Sequence, residues 1–359
     1  MAPDVADDVR ALIREAQHAV VNLEAPLTQT THRIKKSGPA IVSHPASAAH
    51  LKDVGFAVVT TANNHILDAG RIGLRDTLAG CRRAGLAQAG IRVEAEGEAG
   101  SGHLDLPLLD GSTVRILSYC EHEWSVTDGD SAVGWSVVAA ARGVIEAKVE
   151  GKRVVVVLHG GNEYFPLPRP VLRDELRFLA EVGADAVIMH HNHMPSAYEV
   201  WAGVPIAYGI GNFQFAMANP HSEWHEGLLA GITFEESGAR LSLTPVVTSE
   251  SFEVSLACGA DKERILNQVE GYKQQVTSDV ALRALWDEFC SGTGKALLRV
   301  ALQPTSSRGS ALIVEAWISH MARHPENLLV LTNVMQCESL RDLITDHLRN
   351  AVDDTVDWG

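Results

Sequence analysis

The sequence predicts a layered α/β domain followed by helices, and two features of its patterning lead to this prediction. Over the first 215 residues, short β-rich apolar runs alternate with segments of helical periodicity. Beyond about residue 260 the segments carry helical periodicity alone. We therefore predict an α/β domain over residues 1–256 and a helical C-terminal subdomain over residues 257–359.

The predicted strands follow one another with helical segments between them, as at 70–85 and 169–183. Residues 226–256 alternate in polarity around a turn at Ser237 and Gly238, which predicts antiparallel strands that complete a sheet. The earlier predicted strands cover residues 19–24, 56–65, 114–120, 153–161 and 185–193. Because the carboxyl ends of strands carry the site in open α/β sheets, we expect function at the ends of these runs.

Composition excludes several classes of protein. The chain has 359 residues, is 46% hydrophobic and carries a formal charge of −15, which gives no support to a nucleic-acid-binding surface. No apolar stretch reaches the length of about 18 residues that a membrane span needs, and the chain starts with an acidic segment, so we predict a cytoplasmic protein. The five cysteines are scattered, which argues against a disulfide framework or a zinc knuckle.

The run "TTANNHILDAG" places polar residues directly after an apolar strand. Asn64 offers an amide oxygen to a metal, His65 is suited to donate a proton, and Asp68 is placed to orient His65. The alternative is a turn in which Asn and Asp side chains cap the next helix. The segment by itself does not separate the two interpretations.

Histidines also follow the two later strands of this domain. "VVVVLHGGNEY" leaves His159 at a strand end, with Glu163 four residues on, although a lone histidine there is more often a satisfied core residue. "IMHHNH" supplies His191 and His193, which face the same way if the backbone is extended. Two imidazoles on one side form a natural pair of metal ligands.

These motifs together resemble a known family. "VVNLEAPLT", "TTANNHILDAGRIGL", "LHGGNEY", "GADAVIMHHNH" and "GVPIAYGIGNFQF" are similar in order and spacing to the CapA or poly-γ-glutamate capsule-biosynthesis family, a branch of the calcineurin-like metallophosphoesterases. The resemblance covers roughly residues 19 to 250. It implies a four-layer α/β/β/α sandwich with a metal site at the strand ends, extended here by C-terminal helices.

The resemblance also implies roles for particular residues. A divalent ion, with calcium, manganese, iron and zinc all compatible, would be held by a set of oxygen and nitrogen ligands. We predict that these ligands are Glu24, Asn64, His159, His191 and His193. The predicted catalytic residues are His65, Asp68, His190 and Glu163, and Asn212 is expected to hydrogen-bond a ligand histidine.

The sequence departs from the family pattern at two places. Relatives carry a strand ending in Gly-Asp before the "NLE" motif, and this strand is not in the sequence, so we expect an in-frame extension upstream with Met1 as part of that motif. Met189 and Asn192 stand where relatives usually have glycine and proline. Both substitutions alter the turn that directs the histidines, and neither removes a ligand.

Three functions fit this set of residues. The first is metal-dependent acid/base catalysis on a peptide, namely Cα epimerisation of a ribosomally made lasso-type precursor, which the reduced ligand set and the lack of an anchor favour. The second is metal-dependent hydrolysis of a phosphoester. The third is a factor in the synthesis of an envelope or capsule polymer of the polyglutamate type.

Overall fold

The computed structural model describes residues 4–94, 102–217, 219 and 221–302, together with residues 316 and 335. The chain divides into two compact units, one of residues 1–282 with 358–359 and one of residues 283–357. All of the predicted site residues lie in the first unit. The helices are α1 (Asp7–Glu15), α2 (Ser47–Val54), α3 (Gly70–Ala84), α4 (Val137–Val149), α5 (Pro170–Glu181), α6 (Gly259–Val276) and α7 (Asp279–Leu302).

The strands form two larger layers and a small ribbon. They are β1 (Val20–Asn22), β2 (Val58–Thr60), β3 (Ala87–Ala89), β4 (Ile91–Arg92), β5 (His103–Pro107), β6 (Thr113–Cys120), β7 (Ser131–Ala132), β8 (Arg153–His159), β9 (Ala186–His190), β10 (Tyr198–Trp201), β11 (Val204–Ala207), β12 (Glu226–Glu235), β13 (Gly238–Thr248) and β14 (Val254–Leu256). A parallel sheet has the order β1-β2-β3, and a six-stranded sheet has the order β10-β11-β9-β8-β6-β5. In the larger sheet the neighbours β6, β8, β9 and β11 are parallel, while β5 and β10 are antiparallel at its edges.

The sheets and helices stack in four layers. Val58 of β2 faces the six-stranded sheet and packs in one core with Ile116 and Val157. The adjacent Val59 points the other way and packs in a second core with α1 and α2. Because α4 and α5 cover the remaining face of the six-stranded sheet, the arrangement is α/β/β/α and the predicted sandwich is confirmed.

The region after residue 225 begins with an antiparallel sheet of order β12-β13-β14. The hairpin between β12 and β13 turns at residues 236–237, so the predicted antiparallel pairing is confirmed. α6 packs against this sheet and β10, with Ile265 and Val269 fully buried. α6 belongs to the same compact unit as the strands. The domain boundary at residue 256 stays a prediction.

A cavity of about 1520 Å³ lies between the layers. Residues 19–25 line it without a break, as do residues 228–234 of β12, so strand backbone borders it on two sides. Alternate residues of the six-stranded sheet, such as Val155, Val157 and Ile188, form its base. Within the part of the chain that the structure describes, no helix has the length and apolarity to cross a membrane.

Candidate metal centre

Four strand ends bring the predicted ligands to one edge of the sandwich. His159 is the last residue of β8, and β9 ends at His190, immediately before His191. The parallel pairing of β8 and β9 sets His159 directly beside His190. Glu24 follows β1 and Asn64 follows β2, and these two strands are also parallel neighbours. The expectation that the ligands meet at the carboxyl ends of strands is therefore met.

Glu24, His191 and His193 each offer a potential ligand atom, and these atoms all lie within 4.8 Å of one another. His193 Nε2 is 3.6 Å from Glu24 Oε1. His159 Nε2 lies 3.7 Å from the same oxygen. It also lies 3.0 Å from Asn64 Oδ1 and 3.1 Å from His191 Nδ1. The structure thus brings all five predicted ligands into one cluster.

The Glu24 carboxylate has one oxygen that no group in the described part of the chain satisfies. Oε2 accepts a hydrogen bond from Asn22 Nδ2 at 3.1 Å, while Oε1 is buried without a hydrogen-bond partner. Burial, together with the charges of Glu163 and Glu123, raises the pKa of Glu24 to about 8. A buried, unpaired carboxylate oxygen facing imidazole nitrogens is the environment that a bound cation completes, so these residues fit a divalent ion.

The imidazoles are held in the form that binds metals. Burial lowers the pKa of His193 to about 4 and that of His159 well below its ordinary value. Burial also lowers the pKa of His191. At neutral pH these rings are therefore uncharged, and a neutral ring nitrogen is the ligand species.

The turn that carries His191 and His193 is not extended. Strand β9 stops at His190, and His191 and His193 have φ angles of 105° and 59°. The prediction that they face one way because of strand alternation is wrong, since a left-handed turn directs both rings to the cluster. Non-glycine residues in this region are strained, and such strain concentrates at functional sites.

Asn192, between these two histidines, anchors the turn. Its Nδ2 donates to Ser196 Oγ, and the side chain packs against Gly209. A Cβ at position 209 would lie 2.2 Å from Asn192 Nδ2, so the glycine is required for this contact.

Asn212 fixes the tautomer of His193. Asn212 Nδ2 donates to the carbonyl oxygen of Trp224 at 2.9 Å, so its Oδ1 is the acceptor that lies 2.9 Å from His193 Nδ1. His193 therefore carries its proton on Nδ1, which leaves the lone pair of Nε2 directed at Glu24. This is the contact to a ligand histidine that was expected for Asn212.

His65 and Asp68 form a buried pair beside the cluster. His65 Nδ1 lies 2.6 Å from Asp68 Oδ2, and Lys36 Nζ donates to Asp68 Oδ1 at 2.5 Å. Helix α3 begins at Gly70 without a side-chain cap, so the capping interpretation of Asp68 is wrong. The Lys36 side chain is only 3% exposed and neutralises Asp68.

The other two residues predicted to be catalytic lie at the margin of the cluster. His190 lines the cavity, and burial lowers its pKa to about 4. Glu163 is exposed and acts on the cluster through its charge.

Two residues at the site were not anticipated from the sequence. Asn22 donates a hydrogen bond to Glu24 and could have been found, because it lies two positions before Glu24 in the predicted strand 19–24, where alternate residues share a face. Glu123, whose carboxylate contacts Asn64 and His191, lies in the segment 122–135, which the sequence shows only as a long loop.

Comparison with known proteins agrees with the motifs. The family described as "Bacterial capsule synthesis protein PGA_cap" matches residues 2–217, which include every proposed ligand. The chain belongs to this family. The resemblance to CapA-type proteins is therefore confirmed.

Curated relatives share the same region at low identity. The "PGA biosynthesis protein CapA" of Bacillus subtilis (strain 168) is 25% identical over 264 residues, which cover 70% of this chain and 66% of the relative. The "Capsule biosynthesis protein CapA" of Bacillus anthracis is 25% identical over 247 residues, covering 66% of this chain and 57% of the relative. A "Probable polyglutamine synthesis accessory protein" of Mycobacterium tuberculosis is 28% identical over 207 residues, 54% of each chain. The chain thus spans between 54% and 66% of the length of these relatives.

Proposed function

We propose that this chain is a divalent-metal-dependent hydrolase of the metallophosphoesterase type that serves the synthesis of a glutamate-based capsule polymer. The observation that carries the proposal is the cluster of Glu24, His191 and His193, in which a buried carboxylate oxygen lacks a partner among the described residues. Family membership supports the choice of pathway, because the two Bacillus relatives are named for PGA or capsule biosynthesis.

The ligand set supports hydrolytic chemistry. His159 Nε2 lies 3.7 Å from Glu24 Oε1 and 3.0 Å from Asn64 Oδ1, so these two residues extend the triad. The full set has three imidazoles, one amide and one carboxylate. A divalent ion held there would activate water and stabilise negative charge on a phosphoester oxygen. Imidazoles outnumber carboxylates, which favours manganese, iron or zinc over calcium.

His65 supplies the proton. His65 Nδ1 lies 2.6 Å from Asp68 Oδ2 and 3.2 Å from Lys36 Nζ. Because Nδ1 is occupied by these contacts, Nε2 is the ring atom left to exchange a proton with substrate. Asp68 is fully buried and accepts a third hydrogen bond from the Ile41 backbone N–H at 2.7 Å. The ring is therefore held in one orientation before substrate binds.

Peptide epimerisation is the second candidate. It needs an acid and a base on opposite faces of one carbon, and the site offers His65 with Asp68 on one element and Glu123 on another. The titles of the three relatives named above concern polymer synthesis, so a role in polymer synthesis ranks above peptide epimerisation. The cytoplasmic location predicted from composition remains a prediction that cell fractionation would test.

One experiment separates these functions. Metal-stripped protein is reloaded with manganese, iron, zinc or calcium, its metal content is measured, and it is incubated in deuterated water with bis(p-nitrophenyl) phosphate, with poly-γ-glutamate and with candidate precursor peptides. Release of nitrophenol or shortening of the polymer supports hydrolysis, and uptake of one deuteron without cleavage identifies epimerisation. Metal-loaded protein that does neither would indicate a non-catalytic assembly factor.

A matched pair of variants ties the activity to the cluster. His193→Ala removes a ligand of the proposed centre, whereas His18→Ala removes a histidine that contacts the Pro107 carbonyl beside the amino end of β1. We expect His193→Ala to lose both metal and turnover and His18→Ala to keep both. Full turnover in His193→Ala would exclude this cluster as the catalytic centre.

A further inference from the structure

Glu123, a carboxylate outside the ligand set, touches two of the proposed ligands. Glu123 Oε2 accepts a hydrogen bond from Asn64 Nδ2 at 3.1 Å, and Glu123 Oε1 lies 3.5 Å from His191 Nε2. It is separated from Asn64 by 59 positions and lies outside the strand-end motifs. Its side chain is 41% exposed, so burial of its own surface does not account for its place at the cluster.

Two hydrogen bonds hold the loop that carries Glu123 against the residues around the site. The indole Nε1 of the next residue, Trp124, donates to Ser37 Oγ at 3.1 Å. Ser125, fully buried, accepts a hydrogen bond from the Leu67 backbone N–H at 3.2 Å. Since Leu67 belongs to the same turn as Asn64, the loop holds Glu123 in a fixed position relative to the Asn64 side chain.

The chemistry of the pair gives Glu123 a role. An asparagine amide ends in a donor and an acceptor of nearly equal size, and only the oxygen can bind a metal. An ionised carboxylate accepts hydrogen bonds and donates none, so Glu123 draws Nδ2 toward itself and leaves Oδ1 on the side of His159 Nε2, 3.0 Å away. We propose that Glu123 is a positioning residue that orients the Asn64 amide so that its oxygen faces the metal centre.

Direct ligation by Glu123 fits the geometry less well. The compact group of ligand atoms consists of Glu24, His191 and His193, and of these three Glu123 contacts only His191, at 3.5 Å. Its proposed role rests on the metal centre assigned under the proposed function, and it acts on that centre through Asn64.

Calorimetric titration of the metal-stripped protein with Mn²⁺ tests the role. Glu123→Ala should weaken Mn²⁺ binding by about 10- to 100-fold, the usual cost of losing a group that orients a ligand. In an Asn64→Ala background the same change should have no further effect, because there is no amide left to orient. Asp128→Ala, which removes an exposed acid from the same loop, is the control for charge and should bind Mn²⁺ as the parent chain does.

Asn64→Asp supplies a second arm. The two carboxylate oxygens of the introduced aspartate are equivalent and need no orientation. Glu123 would then only repel this carboxylate. Glu123→Ala in the Asn64→Asp background should therefore leave Mn²⁺ affinity unchanged or increase it. Thermal unfolding of each metal-free variant shows that the fold is retained.

The outcomes separate the two levels of the proposal. If Glu123→Ala weakens binding by the same factor with and without Asn64, Glu123 acts independently and the positioning role is wrong. Unchanged affinity in Glu123→Ala alone also refutes it. If Asn64→Ala itself binds Mn²⁺ as tightly as the parent chain, Asn64 is not a ligand and the proposed centre must be revised.

Discussion

Replacing His65 by alanine should separate proton transfer from metal binding. The ring is held at Nδ1 by Asp68 at 2.6 Å and is absent from the group of closest ligand atoms, so its removal leaves Glu24, His191 and His193 in place. Loss of a positioned acid or base lowers the rate by about 10² to 10⁴-fold, roughly 2.7 to 5.5 kcal/mol in the activation barrier. Because Asp68 and Lys36 hold the ring in one orientation, we expect the loss to fall near the middle of this range.

The assay measures kcat on bis(p-nitrophenyl) phosphate together with metal content by elemental analysis. His65→Ala should keep the metal of the parent chain and lose turnover, while His193→Ala should lose both. If His65→Ala loses metal as completely as His193→Ala, His65 is a ligand and the division of roles is wrong. Normal turnover in His65→Ala would refute the proton-transfer role.

Asp68→Asn is the related change, and the structure shows why it cannot be interpreted through His65 alone. The substitution leaves the Lys36 ammonium, whose side chain is 3% exposed, without its counter-ion. Breaking a buried pair by removing one partner costs roughly 3 to 5 kcal/mol in the free energy of unfolding. The double variant Asp68→Asn with Lys36→Met removes both charges and should recover most of that stability, which chemical denaturation would measure.

Three further predictions concern a hydrogen bond at the site, an ion pair away from it and an upstream extension. Asn212→Leu should weaken Mn²⁺ binding by about 10- to 100-fold, because His193 Nδ1 loses the acceptor that fixes its tautomer, and calorimetry would detect equal affinity if the contact is unimportant. Asp105→Asn should lower the free energy of unfolding at pH 7 by about 1 kcal/mol, a small cost because solvent screens the partly exposed pair. Hydrogen bonding to Arg115 holds the pKa of Asp105 below its ordinary value of 3.8, so the carboxylate stabilises the fold above that pH and this contribution is lost as the pH falls. If Asp105→Asn lowered the free energy of unfolding at pH 2 as much as at pH 7, this reasoning would be contradicted. If an in-frame upstream extension encodes a β-strand ending in Gly-Asp, the longer protein should bind metal more tightly, and equal affinity would show that the strand adds no ligand.

The sequence by itself predicted the strands that precede the candidate site residues and the alternation of those strands with helices. Polarity alternation and helical periodicity are local properties, and they predicted the strands before Glu24, Asn64 and His159 as well as the hairpin of β12 and β13. Parallel strands place their carboxyl ends at one edge, so residues that follow separate strands could be predicted to meet.

Only the tertiary structure decided how these residues are oriented. His191 and His193 have positive φ angles in a turn whose Asn192 packs against Gly209, and period-two alternation could not show this turn. The pairing of Lys36 with Asp68 joins residues 32 positions apart, and that of Glu123 with Asn64 joins residues 59 positions apart. Such contacts depend on how separate loops fold over the sheet edge, and local sequence patterns do not encode that geometry.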